Sequence, residues 1–249
     1  MKKIGFIGCG KIGSEILNHI REKELAEVVF ILDPFFKGKI NIPVIEKWDA
    51  AICSQADIVI ECATAGVLKR NIDEVLAACD LLLFSATAFA EPLFEEKVRE
   101  LCEKNNRHVY LPHGAILGLD GIFDGRSIIR EVSIVTTKNP QSLGEQEQTC
   151  TVLYEGTARE ACRLYPRNVN VHAEIALAGI GFDKTKSKIV ADPSVITNTH
   201  EITVEGEGIH FKIEVSSFST GGVTGAYTPL SACGSVDRLL CMGSGIAFI

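Results

Sequence analysis

The chain has no apolar run approaching the roughly 20 residues that a membrane-crossing helix needs. None of its nine cysteines stands in a Cys-x-x-Cys pair, so the spacing of a zinc site is missing and no metal is expected. Basic residues are not in excess. The 25 Lys and Arg against 32 Asp and Glu leave a net charge of −7, which argues against a nucleic-acid partner. There is no internal repeat and no low-complexity tract. With 46% hydrophobic and 23% charged residues, the composition is that of an ordinary folded domain. The opening MKKIGFIGCG starts like a secretory leader, but Gly5, Gly8, Gly10 and Gly13 interrupt it, and no small-residue cleavage site follows. It reads instead as a first strand. The cysteines then read as reduced thiols of a cytoplasmic protein that touches neither membrane nor nucleic acid. If its substrate is an anion, the cations that hold it must be local.

What is present divides at Pro112. Residues 1–112 alternate short apolar runs with helix-period segments. Strands are expected at 4–7, 27–32, 57–61, 81–85 and 108–111, with a weaker one near 42–45, and helices at 11–23, 65–79 and 89–105. Runs apolar throughout, separated by helices, indicate a doubly wound parallel sheet of the Rossmann type. Residues 113–226 have a different texture. Helices are expected at 157–165 and 169–180, the second with an apolar stripe of Val169, Ala173, Ala176, Leu177 and Ile180. In 209–216, Ile209, Phe211, Ile213 and Val215 alternate with His210, Lys212, Glu214 and Ser216. That is a half-exposed antiparallel strand, pairing with 199–205 through a turn at Gly206 and Gly208. The expected fold class is therefore α/β: a dinucleotide-binding domain, then an α+β domain on a mostly antiparallel sheet for substrate and oligomerisation. The Gly- and Ser-rich 219–226 reads as a mobile loop, and a helix within about 227–249 as a return to the first domain.

Gly8-Cys9-Gly10-Lys11-Ile12-Gly13 follows a strand and opens a helix. The first glycine permits the tight turn, the second lets a pyrophosphate approach the backbone, and the third lets helix pack on strand. Helix amides beginning at Lys11 and Ile12 then face the phosphates. Asp33 stands 20 residues beyond Gly13 at a strand end, where a carboxylate accepts ribose hydroxyls and repels a 2′-phosphate. NAD is expected, with NADP possible because Lys37 and Lys39 follow. The alternative for Asp33 is a solvated strand end. Ala63 and Thr64, with Ser85 to Ala88, end further strands on the same edge and are expected to line the cofactor cleft.

A cofactor does not name a substrate. His200 shares strand parity with Ile202 and Val204 and so points inward. Its ordinary titration range suits proton transfer, the alternative being a core histidine.

Several segments resemble the L-aspartate dehydrogenase family: GFIGCGKIG, LPHGAILGLDGI from Leu111, YEGTAREACRLYPRNVNV from Tyr154, ALAGIGFDKT from Ala176, IVADP from Ile189 and NTHEITVEG from Asn198. The match runs in family order from residue 1 to about 216. It implies NAD(P)-dependent oxidation of L-aspartate to iminosuccinate, or the reverse, an imine that can feed NAD biosynthesis. By analogy of fold, a homodimer joined through the antiparallel sheet of the second domain is expected. The resemblance makes His200 the active-site histidine and Ala115 and Asn170 cofactor contacts. Lys138 matches a basic position, and Arg159 is a second candidate for a substrate carboxylate, while Lys184, Lys186 and Lys188 read as a solvated strand edge.

The chain departs from the family at His113, usually small and often serine, at His172, usually alanine, and at Glu174, usually small and polar. His113 and Glu174 are candidate substrate residues, and Glu174 would repel a dicarboxylate. The alternative is that His172 and Glu174 form a solvated helix face. The competing functions are a dehydrogenase for another amino acid or imine and a non-catalytic NAD(H) sensor.

Overall fold

The computed structural model describes residues 1–218 and 225–241. In chain order the strands are β1 (Lys3–Ile7), β2 (Glu27–Leu32), β3 (Val44–Ile45), β4 (Ile58–Glu61), β5 (Asp80–Leu83), β6 (Val109–Tyr110), β7 (Ile129–Lys138), β8 (Thr151–Thr157), β9 (Lys186–Ala191), β10 (Thr197–Gly206) and β11 (Ile209–Phe218). The helices are α1 (Lys11–Glu22), α2 (Ala50–Cys53), α3 (Ala65–Ala78), α4 (Pro92–Asn105), α5 (Leu119–Gly125), α6 (Pro140–Leu143), α7 (Ala158–Leu164), α8 (Asn170–Ala178) and α9 (Tyr227–Leu240). The chain divides into two compact units, Met1–Pro112 with the chain from Pro229 onward, and His113–Thr228.

The first unit is a six-stranded parallel sheet ordered β3-β2-β1-β4-β5-β6. The order reverses at β1, so the connections that leave β1 and β4 at their carboxyl ends run in opposite directions, which is where sheets of this kind form a crevice. Ile4, Phe6, Ile58 and Ile60 are buried on one face with Ile16, Leu17 and Ile20 of α1. Ala232 and Val236 of α9 join that core, and Asp237 binds His19 of α1 (2.7 Å) and Lys23 at its C-terminal end (3.2 Å). The last described helix thus packs on the first.

Beyond β4 lies a group that apolar patterning does not reveal. Glu61 is fully buried. Its carboxylate accepts the Ala63 amide (2.7 Å), the Ser85 amide (3.1 Å) and the Ser85 hydroxyl (2.8 Å), tying the ends of β4 and β5 together.

The second unit carries the five-stranded sheet β11-β10-β7-β9-β8, antiparallel except where β7 meets β9. The β10–β11 hairpin turns through Glu207 and Gly208, and the positive φ of Gly208 (74°) suits the glycine. One sheet face is covered by α5 and α8, with Val132, Ile134, Ile202 and Val204 packed against Ile122, Val171 and Ile175.

Three expectations need correction. Lys186 and Lys188 do not mark an edge: β9 lies between β7 and β8, and their side chains pair with Glu131 and Glu155 above the sheet. The helix expected at 169–180 spans Asn170–Ala178 and is buried nearly all round, so a single stripe does not describe it. His172 and Glu174 are buried, at 0% and 3% exposure, and form no solvated face. Most of the expected 219–226 loop, and the chain from 242 on, fall outside the described residues.

Burial lifts the Glu61 carboxyl to about 7, against hydrogen bonds from Ser85, Ala63 and Phe84 that favour its charged form. The folded state therefore keeps a proton that the unfolded chain has already released. Stability from neutral Glu61 is full below the ordinary carboxyl range and is lost as pH rises through about 7. Urea unfolding of wild type and Glu61→Gln from pH 5 to 8 should show wild type losing up to about 3 kcal/mol relative to the variant. A wild-type-minus-variant difference independent of pH would contradict this assignment.

Candidate active site

In the first unit the glycine loop closes on two strand ends. Gly8 has φ of 82°, and a Cβ there would lie 2.8 Å from the Ala63 backbone, so β1 and β4 meet without room for a side chain. A Cβ on Gly13 would lie 2.6 Å from the Gly8 carbonyl oxygen, which is the close helix-to-strand contact the motif predicts. Gly10 differs. A Cβ there would meet no atom within 4 Å. Its smallness serves no internal packing and leaves open space over the loop. Helix α1 begins beside it without a side-chain cap or an acidic residue in its first turn, so its positive end meets no built-in anion there.

Asp33 braces this loop and is not merely solvated. One carboxylate oxygen accepts the Cys9 amide (2.8 Å) and the other the Phe35 amide (2.8 Å). Gly8, Gly10, Gly13, Asp33 and Ala63 therefore belong to one cradle, and these residues fit a dinucleotide. Lys11 is exposed at the first turn of α1, and Ile12 packs on the core. The Thr64 hydroxyl caps α3 through the Val67 amide (3.4 Å).

In the second unit a polar group sits on the otherwise apolar sheet face beneath α8. His200 on β10 is paired in register with Thr136 on β7. The Thr136 hydroxyl lies 2.8 Å from His200 Nδ1 and 2.6 Å from His172 Nε2, and His172 Nδ1 lies 2.6 Å from the Ser187 hydroxyl on β9. All four residues are at most 3% exposed. Among the described residues His200 Nε2 carries no hydrogen bond. Burial, the nearby Lys138 charge and His172 hold His200 well below the ordinary histidine range. Burial and Lys138 hold His172 at about 3. Both rings are neutral at neutral pH.

Lys138 continues the inward parity of Ile134 and Thr136 and is 3% exposed. Its ammonium donates to the Asn168 carbonyl at 3.3 Å, and among the described residues no carboxylate lies within ion-pair distance. Burial lowers it to about 8, so it stays mostly charged at neutral pH with donors to spare.

On another side of α8, Glu174 faces the loop after Pro112. A Cβ on Gly114 would lie 3.5 Å from a Glu174 carboxyl oxygen, and Glu174 Oε2 has no partner among the described residues. Burial lifts this carboxyl well above the carboxylate range. Burial thus favours its neutral form, which weakens the repulsion expected from it. Asn170, half-buried, opens α8 one turn before Glu174. His113 and Ala115, both half-buried, lie in the Gly114 loop, where the Ile116 amide donates to the His113 carbonyl (3.0 Å).

Arg159 is the candidate that the structure engages elsewhere. Its Nε and one terminal nitrogen grip Asp183 at 2.6 and 2.8 Å, a bidentate pair that occupies the fork expected for a substrate carboxylate. Thr136 and Ser187 were not singled out as site residues. Both are legible afterwards as polar residues at inward strand positions, in phase with Ile134 and with Ile189.

A family model described as "Aspartate dehydrogenase, C-terminal" matches residues 123–239, and one described as "Homoserine dehydrogenase, NAD binding domain" matches 8–112. The chain is 34% identical to an L-aspartate dehydrogenase of Methanosarcina mazei, covering 96% of this chain and 97% of that one. It is 36% identical to one of Archaeoglobus fulgidus, covering 85% and 86%. The crystal structure of aspartate dehydrogenase from Thermotoga maritima matches with a TM-score of 0.83 at 28% identity, covering 100% of this chain and 99% of that one.

Gly10 and Gly13 should separate under substitution. Gly13→Ala, which meets the Gly8 carbonyl, should lower the melting temperature by several degrees. Gly10→Ala should melt as wild type does but weaken NADH binding at least tenfold, read by titration of nicotinamide fluorescence. Equal NADH affinity in Gly10→Ala and wild type would show that the cradle takes no pyrophosphate.

Proposed function

Because the chain belongs to the L-aspartate dehydrogenase family, we propose that it oxidises L-aspartate at its α-carbon, with His200 as the proton acceptor. The enzyme class is that of an NAD(P)-dependent dehydrogenase. The observation that carries the catalytic assignment is a neutral, buried imidazole whose Nε2 has no hydrogen bond among the described residues, near a buried ammonium that has no carboxylate partner among them.

When bound, the nicotinamide ring accepts the α-hydrogen as hydride. This chain's residues do the rest. Lys138 binds a substrate carboxylate, which partly offsets the cost of its own burial. His200 takes a proton at Nε2 from the substrate amino group as the C=N bond forms. After the hydride step it takes or returns a proton as water adds to the imine and ammonia leaves, giving the 2-oxo acid. Burial favours the neutral form of Glu174, which eases the approach of an anionic substrate to α8. Asp33, with both oxygens directed by main-chain amides, supports NAD over NADP, since a 2′-phosphate would meet its charge. Asn170 and Ala115 are assigned to the nicotinamide half of the cofactor, as the family match suggests.

The reaction yields an imine, and we assign its delivery to NAD biosynthesis as a further part of this reading. A homodimer is assigned on the edge position of β11 and its exposed Phe218, measurable by light scattering. A cytoplasmic location is supported by nine free cysteines.

The test is absorbance at 340 nm with a panel of L-amino acids, each with NAD or NADP. L-Aspartate with NAD should give the highest kcat/KM. Turnover of another amino acid with none of aspartate would overturn the substrate, and equal use of NADP would overturn the role of Asp33. His200→Asn should lower kcat by about 10²–10⁴ while leaving NADH affinity and melting temperature near wild type. A destabilised His200→Asn variant with normal kcat would return His200 to the core.

A further inference from the structure

The polar group beneath α8 has a property that follows from counting protons. The Thr136 hydroxyl has one hydrogen and lies within 2.8 Å of two imidazole nitrogens. It can donate to only one of them. The other must donate its own N–H to the Thr136 oxygen, because otherwise two lone pairs would face each other. Each neutral imidazole carries one N–H. The protonation of the two rings is therefore coupled through a single hydroxyl.

Two arrangements satisfy the chain. In the first, Thr136 donates to His172 Nε2, His172 donates from Nδ1 to the Ser187 hydroxyl, and His200 donates from Nδ1 to Thr136. His200 Nε2 then presents a lone pair. In the second every bond reverses, and His200 carries its hydrogen on Nε2. Only the first gives a base at the nitrogen that has no protein partner. It also tolerates proton uptake without rearrangement. When Nε2 gains a proton, Nδ1–H still points at the Thr136 oxygen, whose own hydrogen already points away toward His172.

We propose that His172 is a positioning residue that, through the Thr136 hydroxyl, fixes the proton of His200 on Nδ1 and so presents Nε2 as the base. This rests on the reading of His200 as the proton acceptor. The chemistry asked of His172 is modest: an sp² acceptor 2.6 Å from Thr136, held on its far side by Ser187. Its place on α8 supplies this. Val171 and Ile175 anchor the helix in the apolar core, and His172 is directed at the sheet between β7 and β9. Burial, reinforced by the Lys138 charge, keeps both rings neutral, and a charge on His172 would remove its acceptor.

Substitution removes the acceptor without touching His200. In His172→Leu the Thr136 hydroxyl has no acceptor on α8 and turns to His200 Nδ1, which moves the His200 hydrogen to Nε2. In His172→Gln the amide oxygen stands near the former Nε2 and restores the first arrangement. ¹⁵N spectra of protein labelled at histidine report which nitrogen of His200 carries hydrogen, with only six histidines to assign. Wild type and His172→Gln should show it on Nδ1, and His172→Leu on Nε2. In His172→Leu, kcat should fall on the order of 10- to 100-fold with KM for the amino acid little changed, and His172→Gln should recover most of the loss.

If His172→Leu does not fold, Thr136→Val breaks the same link with a side chain of equal shape, and Thr136→Ser keeps it. Thr136→Val should then lower kcat and Thr136→Ser should not. A wild-type hydrogen on His200 Nε2 would overturn the proposal. So would an unchanged His200 spectrum with unchanged kcat in His172→Leu or Thr136→Val. Failure of the underlying reading looks different: His200→Asn would keep its kcat even while the ¹⁵N signature of His200 responds to His172.

Discussion

The in-register pairing of His200 with Thr136 across β10 and β7 constrains the whole second unit, because it places polar atoms where the sheet is otherwise apolar. A buried imidazole or hydroxyl without a partner costs about 1–3 kcal/mol. Each hydroxyl and ring on this face must therefore find its complement in a neighbouring element. Thr136 does so on β10 and α8, and His172 on β7 and β9. Three strands and a helix are thereby locked to one another by directional bonds, within a core where Val132, Ile134, Ile202 and Val204 supply non-directional packing. Packing holds the helix down. The hydrogen bonds decide its rotation, since a turn of α8 by one residue would bury His172 without an acceptor.

The first unit solves a different problem by different means. A dinucleotide presents phosphates and hydroxyls, and the chain meets them with backbone. Gly8 and Gly13 bring β1, β4 and α1 within the distance of a single Cβ, and Asp33 turns the loop by accepting its amide. Glu61 plays the matching part at the next strand end, where its carboxyl gathers the amides of Ala63 and Ser85. The cradle is thus shaped by two carboxyls that face main-chain donors. One of them is fully buried, so its proton count is tied to the stability of the strand ends it joins.

Most of the first unit was legible in the sequence because its signals are local. Continuous apolar strands, a glycine motif and a strand-end aspartate each lie within a few residues, and each has a steric reason. The strands β7, β8 and β9 were harder. Their inward rows mix Thr136, Lys138 and Ser187 with aliphatics, so alternation of hydrophobicity fades where the site begins. The same mixing disguised the burial of α8, a helix expected from the sequence, because His172 and Glu174 suggest a wet face on an element that is buried nearly all round. His200 was found because its neighbours Ile202 and Val204 kept the alternation. Thr136 escaped because its significance lies in a partner 64 positions away in sequence. Arg159 illustrates the converse. A guanidinium suits a carboxylate by chemistry alone, but only the fold reveals that Asp183 already occupies it.

The electrostatics of the second unit resolve the tension posed by a net charge of −7 and a proposed anionic substrate. The long-range field of the chain is screened within about 8–10 Å in physiological salt, whereas Lys138 acts at short range from a buried position. Burial first, and its ammonium second, keep His200 and His172 neutral, which on the proposed reading is the state in which one can accept a proton and the other can orient it. The interaction is reciprocal. On the proposed reading, a carboxylate bound at Lys138 opposes the field that depresses His200, so the imidazole becomes a better proton acceptor when substrate is in place. Without substrate, the same cation holds the base unprotonated. On that reading one buried positive charge would both bind the anion and, with burial, tune the basicity of the group beside it. Glu174 can share this region with less opposition because burial favours its neutral form.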